Sequence, residues 1–397
     1  MVISKMRARP QVMIVAGEAS GDMHGAKLAE ALITRNRQVD LFGIGGDRMR
    51  AAGVHIEVDA HRLAVVGITE VIAKLPQILD GMRTAKRLIA ERRPDLLILI
   101  DFPDFNLRLA TFAKKHGVPV LYYISPQIWA WRQGRVRKIR QIVDHMAVIL
   151  PFEETFYRRH GVPVTFVGHP LMDHYRGPVP RPLLPEGTEA LTIGLMPGSR
   201  DSEVQKVLPL MLAAARLIGQ RKRVRFLLSQ APSVTPCLVQ RMAEDADVAV
   251  TLFKGNTGGL LQEAALVIVA SGTSTLEAAL HETPMVIVYK VSPLSYRLGK
   301  ALIRVPHIGL VNLIAGKRVA PELIQHEASP EAIADQTLAL LNNAERLGAM
   351  KSELAQVVRR LGAPGASDKV AGIAFEMLAQ GATRSSGLSP EKDSHAA

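Results

Sequence analysis

LLILIDFPDFN, residues 96–106, joins five consecutive apolar residues to a polar loop and the start of a helix. An uninterrupted apolar run of this length is typical of a strand buried on both faces, as in a parallel sheet that helices cover on both sides. Ligands of such sheets bind beyond the carboxyl ends of the strands. Asp101 directly follows the run and is therefore expected at a ligand-binding edge.

Similar apolar runs, each followed by a helical segment, recur along the chain. The first series is VMIVA (12–16), VDLFGIGG (39–46), VPVLYYIS (118–125), DHMAVIL (144–150) and VTFVGHP (164–170). The second series is LTIGLMPGSR (191–200), VRFLLSQA (224–231), VAVTLF (248–253), LVIVASGTS (266–274) and MVIVYKV (285–291). Two such series predict an α/β protein in which two Rossmann-like domains face each other across a cleft.

A proline-rich stretch at 177–190 separates the two series and marks the expected domain boundary. The N-terminal domain is predicted to span 1–176 and the second domain 177–345. Residues 346–380 are predicted to be helices that return to the first domain, and the segment PELIQ at 321–325 is also predicted to be helical. The Ser- and Gly-rich tail, 381–397, is expected to be disordered, as chain ends commonly are.

The composition narrows the classes of partner. Lys and Arg number 49 against 37 Asp and Glu, which gives a formal net charge of +12. Such a surplus favours a polyanionic partner, whether nucleic acid, anionic lipid or a phosphorylated substrate. The single cysteine, Cys237, excludes a disulfide within the chain. No apolar run approaches the roughly 20 residues that a membrane-spanning helix needs.

Several common cofactor motifs are absent from the sequence. No Gly-Lys-Ser/Thr phosphate loop occurs, and GIGGDR at 43–48 places Arg48 where a dinucleotide fingerprint has its last glycine. No His or Cys cluster has metal-ligand spacing, and the Asp-Ala-Asp at 245–247 is interpreted as a solvated loop. The sequence therefore predicts no metal and no cofactor.

Loops that follow strands carry the candidate binding residues. GEASGD (17–22) and MPGSR (196–200) open helices, and the stretch 270–286 joins a strand to a helix through a small-residue loop. Free N–H groups at a helix start bind phosphate, and arginine pairs with it. The candidates are Gly17, Ser20, Gly21, Ser199, Arg200, Ser271, Gly272, Thr273, Ser274 and Glu277. Two alternatives stay open: Asp22 as a helix cap, and a Ser274–Glu277 capping box.

Asp101 is the favoured catalytic base. A carboxylate placed after five apolar residues is partly desolvated, and desolvation raises its proton affinity. Asp104 is the rival base, although Asp104 or Asn106 can instead cap the following helix. Farther along, SPQIWAWRQGRVRKIR (125–140) combines both tryptophans with five basic residues. This run suits the binding of nucleic acid, phosphate or membrane head groups as well as it suits a surface helix anchored by its tryptophans.

The segment LAVVGITEVIAKLPQILDGM, 63–82, places apolar residues at helical spacing just before a basic run. The apolar set is Val65, Val66, Ile68, Val71, Ile72, Leu75 and Leu79. An apolar stripe beside basic residues fits a helix that lies in a membrane interface. On the residues alone, an ordinary core-facing helix is the favoured alternative.

The chain resembles the lipid-A-disaccharide synthase family over nearly its whole length. The motifs that carry the resemblance, in chain order, are GEASGD, GITEV, IDFPDFN, YYISPQIWAWR, LPFE, FVGHP, LMPGSR, VASGTSTLEAAL, PMVIVYK and VNLIAG. FVGHP is less discriminating than the others, because other sugar-nucleotide enzymes carry a similar stretch.

The resemblance implies an inverting, metal-independent GT-B glycosyltransferase. It implies transfer of a diacylglucosamine unit from UDP-2,3-diacylglucosamine to 2,3-diacylglucosamine 1-phosphate, giving the β-1,6-linked disaccharide 1-phosphate and UDP. It also implies a cytoplasmic enzyme, peripheral on the inner membrane of a Gram-negative cell. The net positive charge then indicates an anionic membrane surface and phosphorylated sugars as partners rather than nucleic acid. A homodimer stays an open alternative to a monomer.

The resemblance also assigns roles to individual residues. Asp101 matches the family's proposed catalytic base. Arg200, Glu277 and Asn312 match positions at the donor nucleotide or positions needed for activity. Segment 63–82 matches the family's membrane and acyl-chain patch, which reverses the preference for a core helix. The alternatives are another UDP-N-acetylglucosamine-using GT-B enzyme, namely a wall-synthesis transferase or an epimerase, and a non-enzymatic basic membrane-binding protein.

Overall fold

The computed structural model describes residues 9–63, 68–175, 177, 191–253, 255–293, 296–297, 299, 303 and 305–386. The chain divides into two compact units. Unit 1 comprises residues 1–173 and 363–397, and unit 2 comprises residues 174–362. Each unit is built on its own parallel sheet.

The sheet of unit 1 has the strand order β3-β2-β1-β4-β5-β6-β7. Its strands are β1 (Gln11–Ala16), β2 (Asp40–Gly45), β3 (His55–Asp59), β4 (Leu96–Ile100), β5 (Val120–Tyr123), β6 (His145–Val148) and β7 (Val164–Phe166). The order changes direction between β1 and β4, which pair in parallel with Ala16 opposite Ile100. In an open α/β sheet such a switch point leaves a crevice at the carboxyl ends of the two strands.

Helices cover both faces of this sheet. They are α1 (Ala19–Arg35), α2 (Asp47–Ala51), α3 (Ile68–Arg92), α4 (Pro103–Lys115), α5 (Ile128–Trp131), α6 (Val136–Ile142) and α7 (Pro151–Arg159). Apolar side chains of α3, α4 and α6 pack on one face. The other face is covered by α1 and by the last helix of the chain, Ala366–Ser386. Burial on both faces explains why the strands are almost wholly apolar.

The sheet of unit 2 has the strand order β10-β9-β8-β11-β12-β13. Its strands are β8 (Leu191–Met196), β9 (Val224–Leu228), β10 (Val250–Leu252), β11 (Leu266–Ala270), β12 (Met285–Tyr289) and β13 (Glu322–Ile324). Its helices are α8 (Asp201–Arg221), α9 (Pro236–Glu244), α10 (Thr257–Glu263), α11 (Ser274–Leu280), α12 (Leu310–Ala315), α13 (Pro330–Leu341) and α14 (Ala344–Arg360). Its switch point lies between β8 and β11, where Met196 pairs with Val269.

Two strands differ from the sequence prediction. The predicted helix at 321–325 is wrong, because Glu322–Ile324 form strand β13 and pair in parallel with β12. Hydrogen bonding to a neighbouring strand outweighs helix propensity over so few residues. Strand β3, His55–Asp59, was not predicted, since its mixed polar and apolar residues lie at the sheet edge and are largely not buried.

The C-terminal region also differs from the predicted division at 346. Helix α14 packs against α11 and α12 in unit 2, whereas the last helix, here α15, packs against α1 in unit 1. The carbonyl of Asp368 accepts a hydrogen bond from Arg35 at 3.1 Å, and the carboxylate of Asp173 accepts one from the Gly365 N–H at 2.8 Å. Helix α15 runs through Ser386, into the segment predicted to be disordered, and 387–397 lie outside the described residues.

None of the described helices combines the length and the apolarity that crossing a membrane requires.

Candidate functional site

The switch point of unit 1 brings together two of the predicted loops. Gly17 follows β1, and Asp101 and Phe102 follow the neighbouring strand β4. A Cβ atom built on Gly17 would overlap the aromatic ring of Phe102. Glycine is therefore required at position 17, because any side chain there would displace the loop that carries Asp101.

Asp101 lies in a strained turn that three hydrogen bonds hold in place. Asp101 and Phe102 have φ angles of 46° and 48°, in the left-handed region that costs non-glycine residues roughly 1–2 kcal/mol each. The Asp101 N–H donates to the Tyr123 carbonyl at 3.1 Å. The Asp101 carbonyl accepts from the Tyr122 hydroxyl at 2.6 Å and from the Asn106 amide at 2.7 Å. Strain maintained in this way is a feature of functional sites.

Asp104, the rival base, occupies a different environment. Its side chain is 74% exposed and forms an ion pair with Arg135 at 3.0 Å. Neither Asp104 nor Asn106 caps helix α4, whose N-cap residue, Phe102, makes no side-chain cap. Asn106 is fully buried and donates instead to the carbonyls of Ile100 and Asp101. Asp104 is thus an exposed carboxylate with its own ion pair, and the choice of Asp101 over Asp104 as the base stays a prediction.

The GEASGD loop leads directly into α1, which begins at Ala19. Ser20 is exposed and Gly21 is buried, and both lie in the first turn of that helix. Asp22 does not cap its own helix. Its buried carboxylate accepts hydrogen bonds from the backbone N–H groups of Gly46, Arg48 and Met49 at 2.6–3.1 Å. Asp22 therefore caps the start of α2 instead of the start of its own helix, α1.

The two tryptophans of segment 125–140 have different environments. Trp129 is buried, and its indole N–H donates to the Glu153 carboxylate at 3.0 Å. Trp131 is 41% exposed, and the guanidinium of Arg132 lies over its ring, 4.1 Å from the centroid. The alternative of a surface segment anchored by its tryptophans therefore holds for Trp129 and not for Trp131, and the ligand-binding alternative stays a prediction.

Glu153 is a buried carboxylate that was not among the predicted site residues. It is 2% exposed and accepts hydrogen bonds from Ser125 Oγ (2.7 Å), Trp129 Nε1 (3.0 Å) and the Leu150 N–H (3.0 Å). Burial raises the pKa of Glu153 to about 7, against the opposing effect of these donors. The available signal was the motif LPFE, which places a glutamate in the first turn of a helix.

A second buried polar cluster lies on the other face of the same sheet. His24 Nδ1, Tyr123 Oη and Ser367 Oγ are buried without a hydrogen-bond partner among the described residues. Burial lowers the pKa of His24 to about 4, and burial also lowers the pKa of His169 to about 4. Both imidazoles are therefore neutral near pH 7. The backbone of Tyr123 connects this cluster to the site, because its carbonyl accepts the hydrogen bond from the Asp101 N–H.

The switch point of unit 2 brings together the MPGSR and 271–274 loops. Ser199 and Arg200 are exposed at the carboxyl end of β8, and Arg200 is the N-cap residue of α8. A Cβ atom on Gly198 would overlap the Glu203 carboxylate, which accepts a hydrogen bond from the Ser199 N–H at 3.1 Å. Burial raises the pKa of Glu203. Glycine at 198 is thus required for the loop to close on Glu203.

Helix α11 begins at Ser274 without the predicted alternative cap. Its N-cap residue, Thr273, makes no side-chain cap, and Ser274 and Glu277 do not form a capping box. Burial raises the pKa of Glu277. A Cβ atom on Gly272 would meet nothing within 4 Å, so the loop is open at this point. The first N–H groups of α11 therefore have no side-chain cap. They follow β11, which pairs with β8, the strand that leads to Arg200.

Asn312, predicted at the donor nucleotide, is fully buried and its amide is used inside the protein. Its Nδ2 donates to the Ala320 carbonyl (2.9 Å) and to Glu322 Oε1 (2.8 Å). Its Oδ1 accepts from the N–H groups of Val319 and Ala320 at 2.7 and 2.9 Å. This side chain positions neighbouring backbone and has no donor or acceptor left for a ligand.

Glu322 extends that network to the 271–274 loop. It is 4% exposed and accepts hydrogen bonds from the N–H groups of Ile308 (3.1 Å) and Gly309 (2.9 Å). The Ile308 carbonyl in turn accepts from Ser271 Oγ at 3.3 Å. Asn312 and Glu322 thereby hold the segment against which Ser271 is placed.

Comparison with known proteins decides the family. The family model for lipid-A-disaccharide synthetase matches residues 12–374. The chain belongs to this family. Lipid-A-disaccharide synthases of Syntrophus aciditrophicus and Geobacter sulfurreducens are 48% and 47% identical to it, over 92% and 93% of this chain and 97% of each relative. The family prediction is confirmed.

Solved structures of low sequence identity share the fold of this lipid-A-disaccharide synthase family member. MurG of Acinetobacter baumannii has a TM-score of 0.56 at 16% identity, covering 92% of this chain and 99% of that chain. MnaA of S. aureus, solved with UDP, has a TM-score of 0.60 at 12% identity, covering 93% of this chain and 97% of that chain. The predicted GT-B class is confirmed, and these two likenesses bear on the fold alone.

The family's apolar segment lies partly within the described residues. Val65 and Val66 lie outside them, as do the side chains of Ile68, Val71 and Ile72. Leu75 and Leu79, on helix α3, are 47% and 43% exposed. Exposed leucines four residues apart form an apolar strip on the helix surface, which a purely core-facing helix would not have.

Proposed function

We propose that the protein transfers a 2,3-diacylglucosamine unit from UDP-2,3-diacylglucosamine to 2,3-diacylglucosamine 1-phosphate. The products are the β-1,6-linked disaccharide 1-phosphate and UDP. Family membership over residues 12–374 supports the reaction. The observation that carries the chemistry is the strained turn at Asp101, held by three hydrogen bonds at the switch point of unit 1.

Asp101 is the general base of this reaction. Its carboxylate takes the proton of the acceptor's 6-hydroxyl while that oxygen attacks the anomeric carbon of the donor, and the bond to UDP breaks on the opposite side of the sugar ring. A single displacement inverts the anomeric centre. The fixed backbone at Asp101 supports this role, because a base that is already positioned needs no reorganisation during the reaction.

In unit 2, Arg200 and the backbone N–H groups of the 271–274 loop stabilise the negative charge that develops on UDP as it leaves. Arg200 is exposed at the start of α8, and α11 begins without a side-chain cap. Arginine binds phosphate oxygens in pairs, and N–H groups at a helix start add favourable dipoles. Such donors stabilise a leaving diphosphate without a metal ion. Asn312 acts indirectly, by holding the neighbouring segment.

The acyl chains and the membrane are contacted by segment 63–82. The exposed Leu75 and Leu79 support this assignment, as does the formal net charge of +12. Apolar side chains inserted among the acyl chains and basic residues near anionic head groups together give peripheral binding. The protein then works at the cytoplasmic face of the inner membrane, where its lipid substrates reside.

Mass spectrometry of products tests the reaction and the base together. Wild-type protein mixed with donor and acceptor is expected to release UDP and form the disaccharide. Asp101→Asn is expected to lower kcat by about 10²–10⁴-fold, because it removes general base catalysis, while UDP affinity stays unchanged.

Asp104→Asn is the matched control, since it removes a neighbouring carboxylate, and its kcat is expected to fall less than about tenfold on that principle. The reverse result, with Asp101→Asn active and Asp104→Asn inactive, assigns the base to Asp104. Absence of UDP release from wild-type protein contradicts the proposed reaction itself.

A further inference from the structure

The segment from Ser125 to Arg135 is fixed at several points, and the proposed reaction gives it no role. It follows β5, the strand that pairs with β4, so it leaves the sheet beside Asp101. The Pro126 carbonyl accepts a hydrogen bond from the Tyr157 hydroxyl at 3.5 Å. Tyr122, in that same strand β5, donates to the Asp101 carbonyl. The segment and the candidate base therefore share one supporting strand.

Glu153 anchors the inner side of the segment. One carboxylate oxygen, Oε1, accepts from both Ser125 Oγ and Trp129 Nε1, and Oε2 accepts from the Leu150 N–H. The ring of Phe152 packs edge-on against Trp129, with centroids 4.8 Å apart. Burying a carboxylate is costly unless it accepts hydrogen bonds, and the three donors of Glu153 both offset that cost and fix its position relative to Ser125 and Trp129.

Asp104 fastens the outer end of the same segment. Its carboxylate pairs with Arg135 at 3.0 Å, and it lies three residues from Asp101 in the first turn of α4. The segment is thus anchored from within at Ser125 and Trp129, and the exposed ion pair at Arg135 adds a weaker contact with the start of α4. The residues between these points, Trp131 and Arg132, are exposed and belong to the segment that follows β5, the neighbour of the strand that leads to Asp101.

Arg132 is the exposed cation that this arrangement presents. Its guanidinium lies over the Trp131 ring, 4.1 Å from the centroid, and it forms no ion pair among the described residues. Stacking on an aromatic ring fixes the plane of a guanidinium and leaves its N–H groups available at the edges. A planar set of paired donors is complementary to the oxygens of a phosphate.

We propose that Arg132 binds the phosphomonoester of the lipid acceptor and that Glu153 is a positioning residue for it. This inference rests on the proposed function and adds the acceptor's phosphate contact to it. The acceptor must place a hydroxyl at Asp101, and its phosphate lies at the other end of the same sugar. A cation on the segment after β5, the strand next to the one that leads to the base, sets the orientation of that sugar, and it distinguishes a phosphorylated acceptor from an unphosphorylated one.

Steady-state kinetics with two acceptors tests the assignment. The probes are 2,3-diacylglucosamine 1-phosphate and 2,3-diacylglucosamine without the phosphate, each with saturating donor. Arg132→Gln is expected to lower kcat/KM for the phosphorylated acceptor by about 10–100-fold, the usual effect of losing a charge-assisted pair. For the unphosphorylated acceptor, kcat/KM is expected to stay within about twofold of wild type, because no charge pair is lost there.

Arg140→Gln is the matched control, since it removes an equal charge from an exposed position at the far end of α6. Its preference for the phosphorylated acceptor is expected to equal that of wild type. If Arg132→Gln keeps the wild-type preference, the inference is wrong while the proposed reaction stands. If wild-type protein forms no disaccharide at all, the proposed reaction fails first.

Co-sedimentation with phosphatidylglycerol vesicles, without acceptor, separates the two sources of phosphate. Arg132→Gln is expected to bind these vesicles as wild type does. A loss of vesicle binding equal to the loss in kcat/KM would assign Arg132 to membrane head groups and overturn the acceptor assignment.

The positioning role of Glu153 is tested by the ratio of kcat/KM for the phosphorylated acceptor to kcat/KM for the unphosphorylated one. Glu153→Ala is expected to reduce the ratio of the two kcat/KM values as Arg132→Gln does, since Trp129 loses its partner. Glu153→Gln keeps an acceptor oxygen and is expected to restore most of the ratio. If Glu153→Ala lowers both kcat/KM values equally, the residue has only a structural role. If the alanine variant does not fold, an equal loss of both values in Glu153→Gln leads to the same conclusion.

Discussion

Glu153 in unit 1 and Glu322 in unit 2 are two buried carboxylates with related tasks. Glu153 lies in the helix that follows β6, and Glu322 is the first residue of β13. Each is less than 5% exposed, and each accepts hydrogen bonds from three donors. Glu153 holds the segment that follows β5, and Glu322 holds the segment that precedes α12. Each fixes a segment next to a proposed substrate-binding residue, Arg132 for Glu153 and Ser271 for Glu322, and neither glutamate is a predicted ligand itself.

The two carboxylates differ in the donors that surround them. Glu322 binds two backbone N–H groups and the amide of Asn312, which is itself fixed by three further hydrogen bonds. Glu153 binds one backbone N–H and two side chains, those of Ser125 and Trp129. Backbone donors cannot turn away when their acceptor is removed, whereas side chains can. The Glu322 network is therefore expected to be the more sensitive to substitution.

The largest loss of stability is expected from Glu322→Ala. This substitution leaves the N–H groups of Ile308 and Gly309 and the Asn312 amide buried without their acceptor, at about 3–5 kcal/mol in total. Hydrogen exchange of peptides covering 305–325 measures the loss locally and is expected to rise strongly. UDP affinity is expected to fall with it, because Ser271 loses its neighbour.

Glu322→Gln is the control, because glutamine keeps one acceptor oxygen. We expect it to lose less than half of the free energy of unfolding that Glu322→Ala loses. Glu153→Ala, followed by tryptophan fluorescence, is expected to cost less than Glu322→Ala; equal losses would remove the distinction between side-chain and backbone donors. Both tryptophans lie in unit 1, so this signal reports on unit 1 alone.

The second largest effect is the contribution of Glu153 to the pH dependence of the free energy of unfolding. Its pKa is raised from 4.5 to about 7 in the folded protein, so between these values the unfolded chain has lost a proton that the folded protein keeps. Stability therefore falls as pH rises from 4.5 to 7, by about 3 kcal/mol in total at 1.36 kcal/mol per unit. Urea unfolding monitored by tryptophan fluorescence, wild type minus Glu153→Gln, measures it.

His24 and His169 act in the opposite direction, because burial lowers the pKa of each to about 4. Their contribution is lost as pH falls from 6.5 through 4, and it cancels in the difference between wild type and Glu153→Gln. A difference that is flat from pH 4.5 to 7 would mean that Glu153 is ionised throughout.

The smallest effect is expected from Ser125→Ala. It removes one of the three donors to Glu153 and leaves a carboxylate that water does not reach easily, at a cost of about 1 kcal/mol at pH 8. At pH 5, where Glu153 is protonated, the cost is expected to be smaller. Urea unfolding at the two pH values gives the comparison, and an equal cost at both would show that the charge on Glu153 is not involved.

The sequence was sufficient for the buried strands and for the position of Asp101 at the end of β4, because uninterrupted apolar runs and their first polar residue are local signals; it was not sufficient for the edge strands β3 and β13. It was not sufficient for Glu153 or Glu322. Each is a single glutamate whose donors come from residues 3–28 positions away, and no spacing rule relates them. Strand β13 was assigned to a helix for the same reason, since only its pairing with β12 makes Glu322–Ile324 a strand.

Asn312 shows a different limit. The family resemblance predicts a role for this position, but a motif match does not distinguish a residue that contacts a ligand from one that holds the chain in place. The four hydrogen bonds of its amide, all within unit 2, favour the second role. The strain at Asp101 was equally invisible, because left-handed backbone at an aspartate and a phenylalanine has no sequence signature.

The carboxylate of Asp22 has a consequence for how this fold diversifies. In dinucleotide enzymes, the N–H groups at the start of the helix after a strand bind a pyrophosphate. Here the N–H groups of Gly46, Arg48 and Met49 are already occupied by a covalently attached anion. A phosphate competing for that position would have to displace a carboxylate, so the chain itself closes the start of α2 to phosphate ligands.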